Sequence, residues 1–205
     1  MTKGKFITLE GIDGVGKTTQ LKLIKQKINL STQNFVFTRE PGGTSLGEKI
    51  RSIILNEKIN NETETLLIFA ARKEHLFEVI EPSLVRGDWV ISDRFSDASY
   101  AYQGGGKKID LKKIEILENW VHESLQPDLT IILDMEIEKA FERIKRNKKL
   151  DKFEIEKIEF FLDVREQYLN RASKYPNRIK IVNADNDINS VNFKIFDLIK
   201  NIEGF

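Results

Sequence analysis

The feature that most constrains the fold is a glycine-rich motif at residues 11–18, Gly-Ile-Asp-Gly-Val-Gly-Lys-Thr, which follows an apolar run and precedes a helical pattern. Such a turn wraps backbone N–H groups around phosphate oxygens, and the following helix points its positive end at the same anion. Lys17 supplies a charge and Thr18 a magnesium ligand. The alternative, a turn that binds nothing, is disfavoured by the strand and helix patterns on either side. We therefore expect polyphosphate binding by Gly11, Ile12, Asp13, Gly14, Val15, Gly16, Lys17, Thr18 and Thr19.

Composition limits the other function classes. The chain has 205 residues, 40% of them apolar, and shows no linker-like stretch, so we expect one domain over residues 1–205. A net charge of +1 gives no reason to expect a nucleic-acid or membrane partner. The absence of cysteine excludes disulfides, thiolate catalysis and cysteine zinc sites. With no signal peptide and no apolar run long enough to span a membrane, a cytoplasmic protein is expected.

Short β-rich runs alternate with helical patterns along the chain. The strand-like runs cover residues 6–10, 34–38, 89–92, 129–134 and 179–182. Helical patterns cover residues 19–29, 45–55, 62–82, 155–173 and 188–202, and a further helix begins with Asp110 as its N-cap. Buried strands separated by helices indicate an α/β fold with a five-stranded parallel sheet, flanked by helices. Ligands of such sheets bind at the carboxyl ends of the strands.

Charged residues follow the third predicted strand. Asp93 and Arg94 end an apolar run, so they should lie at the sheet edge beside the phosphate-binding loop. There Asp93 could order magnesium-bound water, and Arg94 could hold a phosphate through two hydrogen bonds. The alternative is that the two residues pair with each other.

The second predicted strand and the long helix after it offer further anion and base contacts. Arg39 precedes a Glu-Pro-Gly-Gly turn and could reach an anion, although solvated turn charges are common. Arg72 lies three residues after Phe69, so a ring and a planar cation share one helix face, which suits a nucleobase. Phe69 as a plain core residue is the alternative. The three glycines at residues 104–106 permit either a close approach or local mobility.

A basic segment follows the fourth predicted strand. Residues 143–152 contain six cations, which would be a local anion trap in a chain that is otherwise nearly neutral. A solvated helix face is the usual explanation for such a run. Its position on the side of the phosphate-binding loop favours a flap over a triphosphate.

Five ordered motifs, at residues 10–20, 38–44, 93–95, 101–106 and 150–154, closely resemble those of the bacterial thymidylate kinases, P-loop enzymes that phosphorylate dTMP. The resemblance covers nearly the whole chain. It implies a fold like that of the nucleoside monophosphate kinases and a homodimer packed through helices, with the long Phe69 helix a candidate. It divides the chain into the phosphate-binding loop at 11–18, an acceptor region at about 39–107 and a basic flap at about 136–154.

The resemblance also assigns roles to individual residues. It implies that Asp13 binds the sugar 3′-hydroxyl or metal-bound water, that Phe69 stacks on thymine and that Arg72 contacts a thymine carbonyl. Tyr102, beside the position of a ribose 2′-hydroxyl, would help to select deoxyribose. The implied substrate-binding set is Asp13, Arg39, Phe69, Arg72, Arg94, Ser99, Tyr102 and Gln103, and the implied metal set is Thr18, Asp93 and Asp13.

Family members take their catalytic arginine either from the phosphate-binding loop or from the flap. Position 14 is glycine here, so the flap must supply it, with Arg143 and Arg146 as first choices. Lys152 and Lys107 stand where the family usually has arginine, and lysine keeps the charge but loses the planar fork. The expected catalytic set is Lys17, Arg94, Arg143, Arg146 and Asp13.

The expected reaction is transfer of the γ-phosphoryl group of ATP to dTMP with Mg²⁺, for dTTP synthesis. A kinase for another nucleoside monophosphate is the main alternative. A P-loop GTPase-like regulator would need an N-K-x-D motif, and in residues 147–151 the aspartate lies one position too late. A non-catalytic binding protein with a degenerate site is disfavoured because Lys17, Thr18, Asp93 and Arg94 are all present.

Overall fold

The computed structural model describes residues 4–28, 33–145 and 152–202, and side chains within these ranges except at 144, 145 and 152–157. A five-stranded parallel sheet with strand order β2-β3-β1-β4-β5 forms the centre of the molecule. The strands are β1 (Phe6–Glu10), β2 (Phe35–Arg39), β3 (Trp89–Asp93), β4 (Leu129–Asp134) and β5 (Ile179–Asn183). The predicted fold class and all five strands are confirmed, with ends that differ by at most one residue.

Helices cover both faces of the sheet, which is why the central strands are apolar on both sides. On β1, Ile7 and Leu9 belong to one hydrophobic cluster, whereas Phe6 points to the other face and packs in a second cluster with Phe69 and Phe95. The helices are α1 (Lys17–Ile28), α2 (Ser45–Asn56), α3 (Asn61–His75), α4 (Glu81–Val85), α5 (Ser96–Ser99), α6 (Leu111–His122), α7 (Ile137–Lys145), α8 (Lys152–Lys174) and α9 (Ile188–Lys200).

Local sequence sets several helix ends. The side chains of Thr44, Asn60, Asp110 and Asp187 accept hydrogen bonds from backbone N–H groups in the first turns of α2, α3, α6 and α9. These bonds satisfy donors that a helix cannot pair internally. The N-cap predicted at Asp110 is therefore confirmed.

The long helix expected over residues 62–82 does not end near Pro82. It passes from α3 through a π-helical segment, Leu76–Ile80, into α4, which continues to Val85. Pro82 lies at the start of α4, where its missing N–H is tolerated best. The wider π turn interrupts the 3.6-residue period, and for that reason the sequence pattern did not reveal it.

A second π-helical segment, Tyr100–Gly106, contains the three consecutive glycines and packs against α8. A Cβ at Gly105 would lie 2.7 Å from the carbonyl oxygen of Asp163, and one at Gly106 would lie 2.3 Å from the ring of Phe160. Of the two explanations left open for these glycines, the close approach is therefore the correct one at both positions.

Asp97 of α5 forms buried ion pairs beside this segment. Its buried carboxylate accepts hydrogen bonds from Nε of Arg171 at 2.8 Å and from Nη1 of Arg178 at 2.7 Å. The pair of arginines ties α5 to the end of α8 and to β5.

In the described part of the chain, no helix is both long and apolar enough to cross a membrane.

Candidate active site

The phosphate-binding loop lies between β1 and α1, at the carboxyl edge of the sheet. Gly11, Gly14 and Gly16 all have positive φ angles, of 131°, 86° and 98°, which residues with a Cβ rarely adopt. A Cβ at Gly11 would also lie 2.5 Å from the carbonyl oxygen of Leu133. The glycines are thus required by backbone geometry, and Thr18 and Thr19 lie exposed on the first turn of α1.

Lys17 and Asp13 form the charged centre of the loop. Lys17 is buried, and its Nζ donates to the carbonyls of Gly11 and Ile12 at 2.9 and 3.1 Å. Its Nζ also lies 4.0 Å from Oδ1 of Asp13. Burial and the nearby Arg94 cation lower the pKa of Lys17 to about 8. Burial raises the pKa of Asp13, but Arg94 and Lys17 outweigh it, so that pKa is below its usual value.

Arg94 reaches this centre from the end of β3. Its Nη2 donates to Oδ1 of Asp13 and to the hydroxyl of Tyr102, both at 2.7 Å. Its φ angle is 73°, a left-handed conformation that is uncommon for a residue with a Cβ. The alternative pairing with Asp93 is wrong, since Arg94 forms its ion pair with Asp13. Its Nε is buried and has no hydrogen-bond partner in the described ranges.

Two groups beside the loop suit a magnesium ion. Oδ1 of Asp93 is buried and, among the residues described, has no hydrogen-bond partner, which is unusual for a carboxylate oxygen. The Thr18 side chain is exposed at the start of α1. Mg²⁺ is commonly bound by one or two oxygen side chains plus substrate phosphates and water. The donor set of Thr18, Asp93 and Asp13 therefore fits this ion.

Arg72 lies buried in the predicted acceptor region. Its Nε donates to Oε2 of Glu40 at 2.6 Å, and its Nη2 donates to Oγ of Ser99 at 3.0 Å. Its guanidinium lies 4.6 Å above the ring of Phe69, which is itself fully buried. Nη1 of Arg72 has no partner in the part of the chain that is described. The predicted pair of ring and cation is thus in contact, with one donor of the cation left free.

Glu40 is the residue that holds Arg72, and the sequence analysis missed it. It precedes Pro41 through a cis peptide bond, and its Oε1 lies 2.9 Å from Nδ1 of His75. Burial raises the pKa of Glu40, but Arg72 and His75 outweigh it, so the pKa lies below its ordinary value. A buried arginine requires a nearby anion, and this requirement was the available signal.

Tyr102 and Gln103 lie on the second π-helical segment, where Tyr102 contacts Arg94. The ring of Tyr102 lies 4.8 Å from the Arg94 guanidinium. Gln103 is buried, and its Nε2 donates to Glu64 of α3 at 3.1 Å, while Lys107 forms an ion pair with the same carboxylate. Contacts thus join Tyr102 to Arg94 and, through Arg94, to Asp13, whereas Gln103 is held by Glu64.

Arg39 lies farther out, at the exposed end of β2. Its Nη2 bonds to Oε2 of Glu48 at 2.8 Å, and the same carboxylate accepts the N–H of Gly43. Arg51, which the sequence analysis missed, donates to the carbonyl of Pro41 at 3.0 Å, and its charge helps to lower the pKa of Asp13. Arg51 was missed because a lone arginine on a helix resembles an ordinary surface charge.

A cavity of about 550 Å³ opens on the other side of the phosphate-binding loop. Arg143 of α7 lines it, is 43% exposed and donates to the carbonyl of Ala184 at 3.2 Å. The loop after β5 supplies the opposite wall through residues 184–188. That loop was missed, although its position after a parallel strand places it at the ligand-binding edge. Arg146, the other predicted flap arginine, lies outside the described residues, as do residues 147–151.

Comparison with known proteins identifies relatives of the whole chain. The family model described as thymidylate kinase matches residues 9–195. The protein named thymidylate kinase from Janthinobacterium sp. (strain Marseille) is 50% identical over 99% of this chain and 100% of its own length. The one from Methylobacillus flagellatus is 48% identical over 97% and 98%. The crystal structure of thymidylate kinase from Ehrlichia chaffeensis superposes with a TM-score of 0.80 at 34% identity, over 97% of this chain and 99% of that one.

Proposed function

The chain belongs to the thymidylate kinase family, and we propose that it transfers the γ-phosphoryl group of ATP to dTMP, giving ADP and dTDP. The observation that carries the proposal is the meeting of two cations at one carboxylate. Lys17 of the phosphate-binding loop and Arg94 of the acceptor side approach Oδ1 of Asp13 at 4.0 and 2.7 Å. A phosphate bound by Lys17 and a phosphate bound by Arg94 would therefore lie next to each other.

In this reaction an oxygen of the dTMP phosphate attacks the γ-phosphorus of ATP, and the bond from that phosphorus to the β,γ-bridging oxygen breaks. The attacking oxygen is already anionic, so no general base is required. The protein's task is to position two phosphates that repel each other and to neutralise their charge. We assign Lys17 and Arg143 to the donor phosphates and Arg94 to the acceptor phosphate; Arg146 stays a prediction for the flap.

Mg²⁺ would add charge neutralisation on the donor phosphates, and Thr18, Asp93 and Asp13 are the residues that would hold it. We further propose that the cavity beside Arg143 binds the donor base, because it opens next to Gly14 and Gly16. The division expected from the sequence, a single domain with loop 11–18, acceptor region at about 39–107 and flap at about 136–154, stays a prediction.

On the acceptor side, we assign thymine to Phe69 and Arg72, with Nη1 of Arg72 as the donor to a base carbonyl. Ser99 accepts from the same guanidinium and so fixes its plane. Tyr102, bonded to Arg94 and close to its guanidinium, is assigned to the sugar, where it would crowd a 2′-hydroxyl. Arg39, Arg51 and Gln103 complete the proposed acceptor site.

The test is an assay of ADP release with ATP and magnesium, comparing dTMP with dUMP, UMP, dCMP, dGMP and no acceptor. We expect dTMP to be preferred strongly and UMP to be rejected. Preference for another monophosphate would keep the kinase chemistry and refute the base assignment. Absence of stimulation by any acceptor would refute the kinase itself.

The family resemblance implies a homodimer, and we propose that α3 and α6 form its interface. Leu66 of α3 and Ile116 and Trp120 of α6 are large apolar side chains that are between 56% and 77% exposed. Sedimentation velocity should give a dimer for the wild-type chain and a monomer for Trp120→Lys. Phe193→Lys, at a similarly exposed position on α9, is the matched control and should stay dimeric. The cytoplasmic location expected from the sequence stays a prediction.

A further inference from the structure

The backbone of Arg94 is held from several directions at the point where β3 ends. Its N–H donates to the carbonyl of Leu9 on β1 at 3.0 Å. Its carbonyl accepts from the hydroxyl of Ser92 at 2.7 Å. The next N–H, that of Phe95, donates to Oε1 of Glu10 at 2.7 Å. The left-handed conformation of Arg94 is thus enclosed by hydrogen bonds to β1 and to its own strand.

Such a conformation persists only where the surroundings enforce it. If the backbone of Arg94 adopted an extended or helical conformation, its side chain would turn away from the phosphate-binding loop, because φ sets the direction of the Cα–Cβ bond. The contacts of its guanidinium with Asp13 and Tyr102 depend on that direction. The hydrogen bonds around the backbone therefore determine where the cation lies.

Glu10 is fully buried, and nothing in the proposed reaction requires a carboxylate at its position. Its second oxygen, Oε2, accepts from the hydroxyl of Tyr168 on α8 at 2.8 Å. Burial raises the pKa of Glu10 to about 8, with the Asp97 charge adding to the rise. Burying a carboxyl group costs free energy unless hydrogen bonds compensate for the lost hydration. One of the hydrogen bonds of Glu10 is to the N–H of Phe95, the residue after Arg94.

We propose that Glu10, supported by Ser92, is a positioning residue that fixes Arg94 in its left-handed conformation and thereby aims its guanidinium at the acceptor phosphate. The inference rests on the proposed function, in which Arg94 binds dTMP. It assigns the effect to the hydrogen-bond acceptor Oε1 and not to the negative charge of Glu10. Glu10 directly precedes the phosphate-binding loop, but its side chain is directed toward Phe95 and Tyr168. Its proposed role is therefore distinct from phosphate binding.

Three variants test the proposal. Glu10→Gln keeps an acceptor oxygen at the same reach and replaces the ionisable carboxyl group by an amide, whereas Glu10→Asp keeps a carboxyl group and shortens the side chain by one methylene. Tyr168→Phe is the matched control, because it removes only the other hydrogen bond of the carboxyl group. The measurements are kcat and KM for dTMP at saturating ATP and, separately, the Kd of ATP by equilibrium dialysis.

We expect Glu10→Asp to lower kcat/KM for dTMP by about 10- to 100-fold, the scale that misplacement of a reacting group by about 1 Å produces. The Kd of ATP should stay within about twofold, because the contacts of the loop with phosphate are kept. Glu10→Gln and Tyr168→Phe should stay within about threefold of wild type in kcat/KM for dTMP, since both keep the bond to Phe95.

A fall in Glu10→Gln as large as that in Glu10→Asp would overturn the proposal, since the carboxyl group itself, and not an acceptor oxygen at that reach, would then be what matters. An equal loss of ATP and dTMP binding in Glu10→Asp would also overturn it, by showing general damage to the site. If Glu10→Asp does not fold, Ser92→Ala removes the other support and should lower kcat/KM for dTMP by more than the change of about threefold allowed to the control variants, at unchanged Kd of ATP. A smaller change would refute the inference. A wild-type enzyme without dTMP-dependent turnover would instead refute the proposed function.

Discussion

The acceptor side and the donor side of the candidate site are built differently. On the acceptor side, Arg72 and Arg94 are held by carboxylates, and the side chain of Arg72 is 1% exposed. On the donor side, Arg143 is 43% exposed and lies on a surface helix, where among the described residues it contacts a carbonyl at 3.2 Å and a carboxylate at 4.0 Å. Arg72 is thus part of the packed interior and Arg94 is 20% exposed, whereas Arg143 can be changed without disturbing the core.

The difference has a physical reason. A buried arginine requires a buried anion, so Glu40 and Arg72 can only be present together. An exposed arginine is solvated and needs no such partner. If the comparison is correct, substitution of buried Arg72 should reduce both stability and activity, and substitution of exposed Arg143 should reduce activity alone.

The largest effect is expected for Lys17→Ala, at the junction of the two sides. Removing a buried cation from the donor phosphates should lower kcat by at least about 10³-fold, the scale seen when a charge on the transferring group is lost. Single-turnover kinetics with dTMP would measure it, and circular dichroism would establish that the fold is kept. Lys22→Ala, an exposed position on the same helix, is the control and should retain wild-type turnover. Substantial turnover in Lys17→Ala would contradict the assignment of the loop.

Arg72→Ala tests the acceptor side through stability. The variant leaves the buried carboxylate of Glu40 with His75 as its remaining partner, and breaking a buried ion pair in this way costs about 3–5 kcal/mol. Urea denaturation should report that loss, and kcat/KM for dTMP should fall with it. Arg143→Ala is the donor-side counterpart and should change the free energy of unfolding by less than about 0.5 kcal/mol. Similar losses in the two variants would remove the distinction between the sides.

Arg143→Ala should nevertheless affect the donor nucleotide. We expect kcat/KM for ATP to fall by about 10- to 100-fold, or about 1.4–2.7 kcal/mol, because one cation facing the donor cavity is lost. KM for dTMP should stay within about twofold. Arg143→Lys keeps the charge without the planar fork and should recover part of the loss. A variant impaired toward dTMP and normal toward ATP would place Arg143 on the wrong side.

Much of the donor side could be predicted from sequence because its parts are contiguous. The strand, the glycine-rich loop, Lys17 and Thr18 lie within residues 6–18, and the fold of such a unit follows from local pattern. The loop at residues 184–188 could have been added from topology alone, since it follows a parallel strand.

The acceptor side could be predicted only in part. Arg72 and Glu40 are 32 positions apart, and no local pattern states which acid will neutralise a buried arginine. The two π-helical segments break the period on which helix prediction depends, so the placement of Tyr102 and Gln103 on one of them was not foreseen. What the sequence did indicate was the chemistry, an aromatic ring, two arginines and Asp13, without Glu40 and without the pairing of Asp13 with Arg94.

The smallest effect concerns the packed layer behind the acceptor side, where His122 lies 5.0 Å from the ring of Phe95 and donates through Nδ1 to the carbonyl of Leu125 at 3.1 Å. Burial, and then the Arg72 charge, lower the pKa of His122 to about 4. In the unfolded chain a histidine takes up a proton near pH 6.5, so acidification favours unfolding between pH 6.5 and pH 4.

The wild-type chain should therefore lose about 1 kcal/mol of stability between pH 6.5 and pH 5.5 relative to His122→Asn, whose amide can still donate to Leu125. Urea denaturation of both proteins across this range would measure the difference. If the free energies of unfolding of the two proteins change in parallel with pH, the pKa of His122 is the same in the folded and the unfolded chain. Water would then reach His122 in spite of its packing. If the difference in the free energy of unfolding instead grows as the pH falls, His122 is buried as the structure shows. The residues packed behind Arg72 would then belong to the packed interior, as Arg72 itself does.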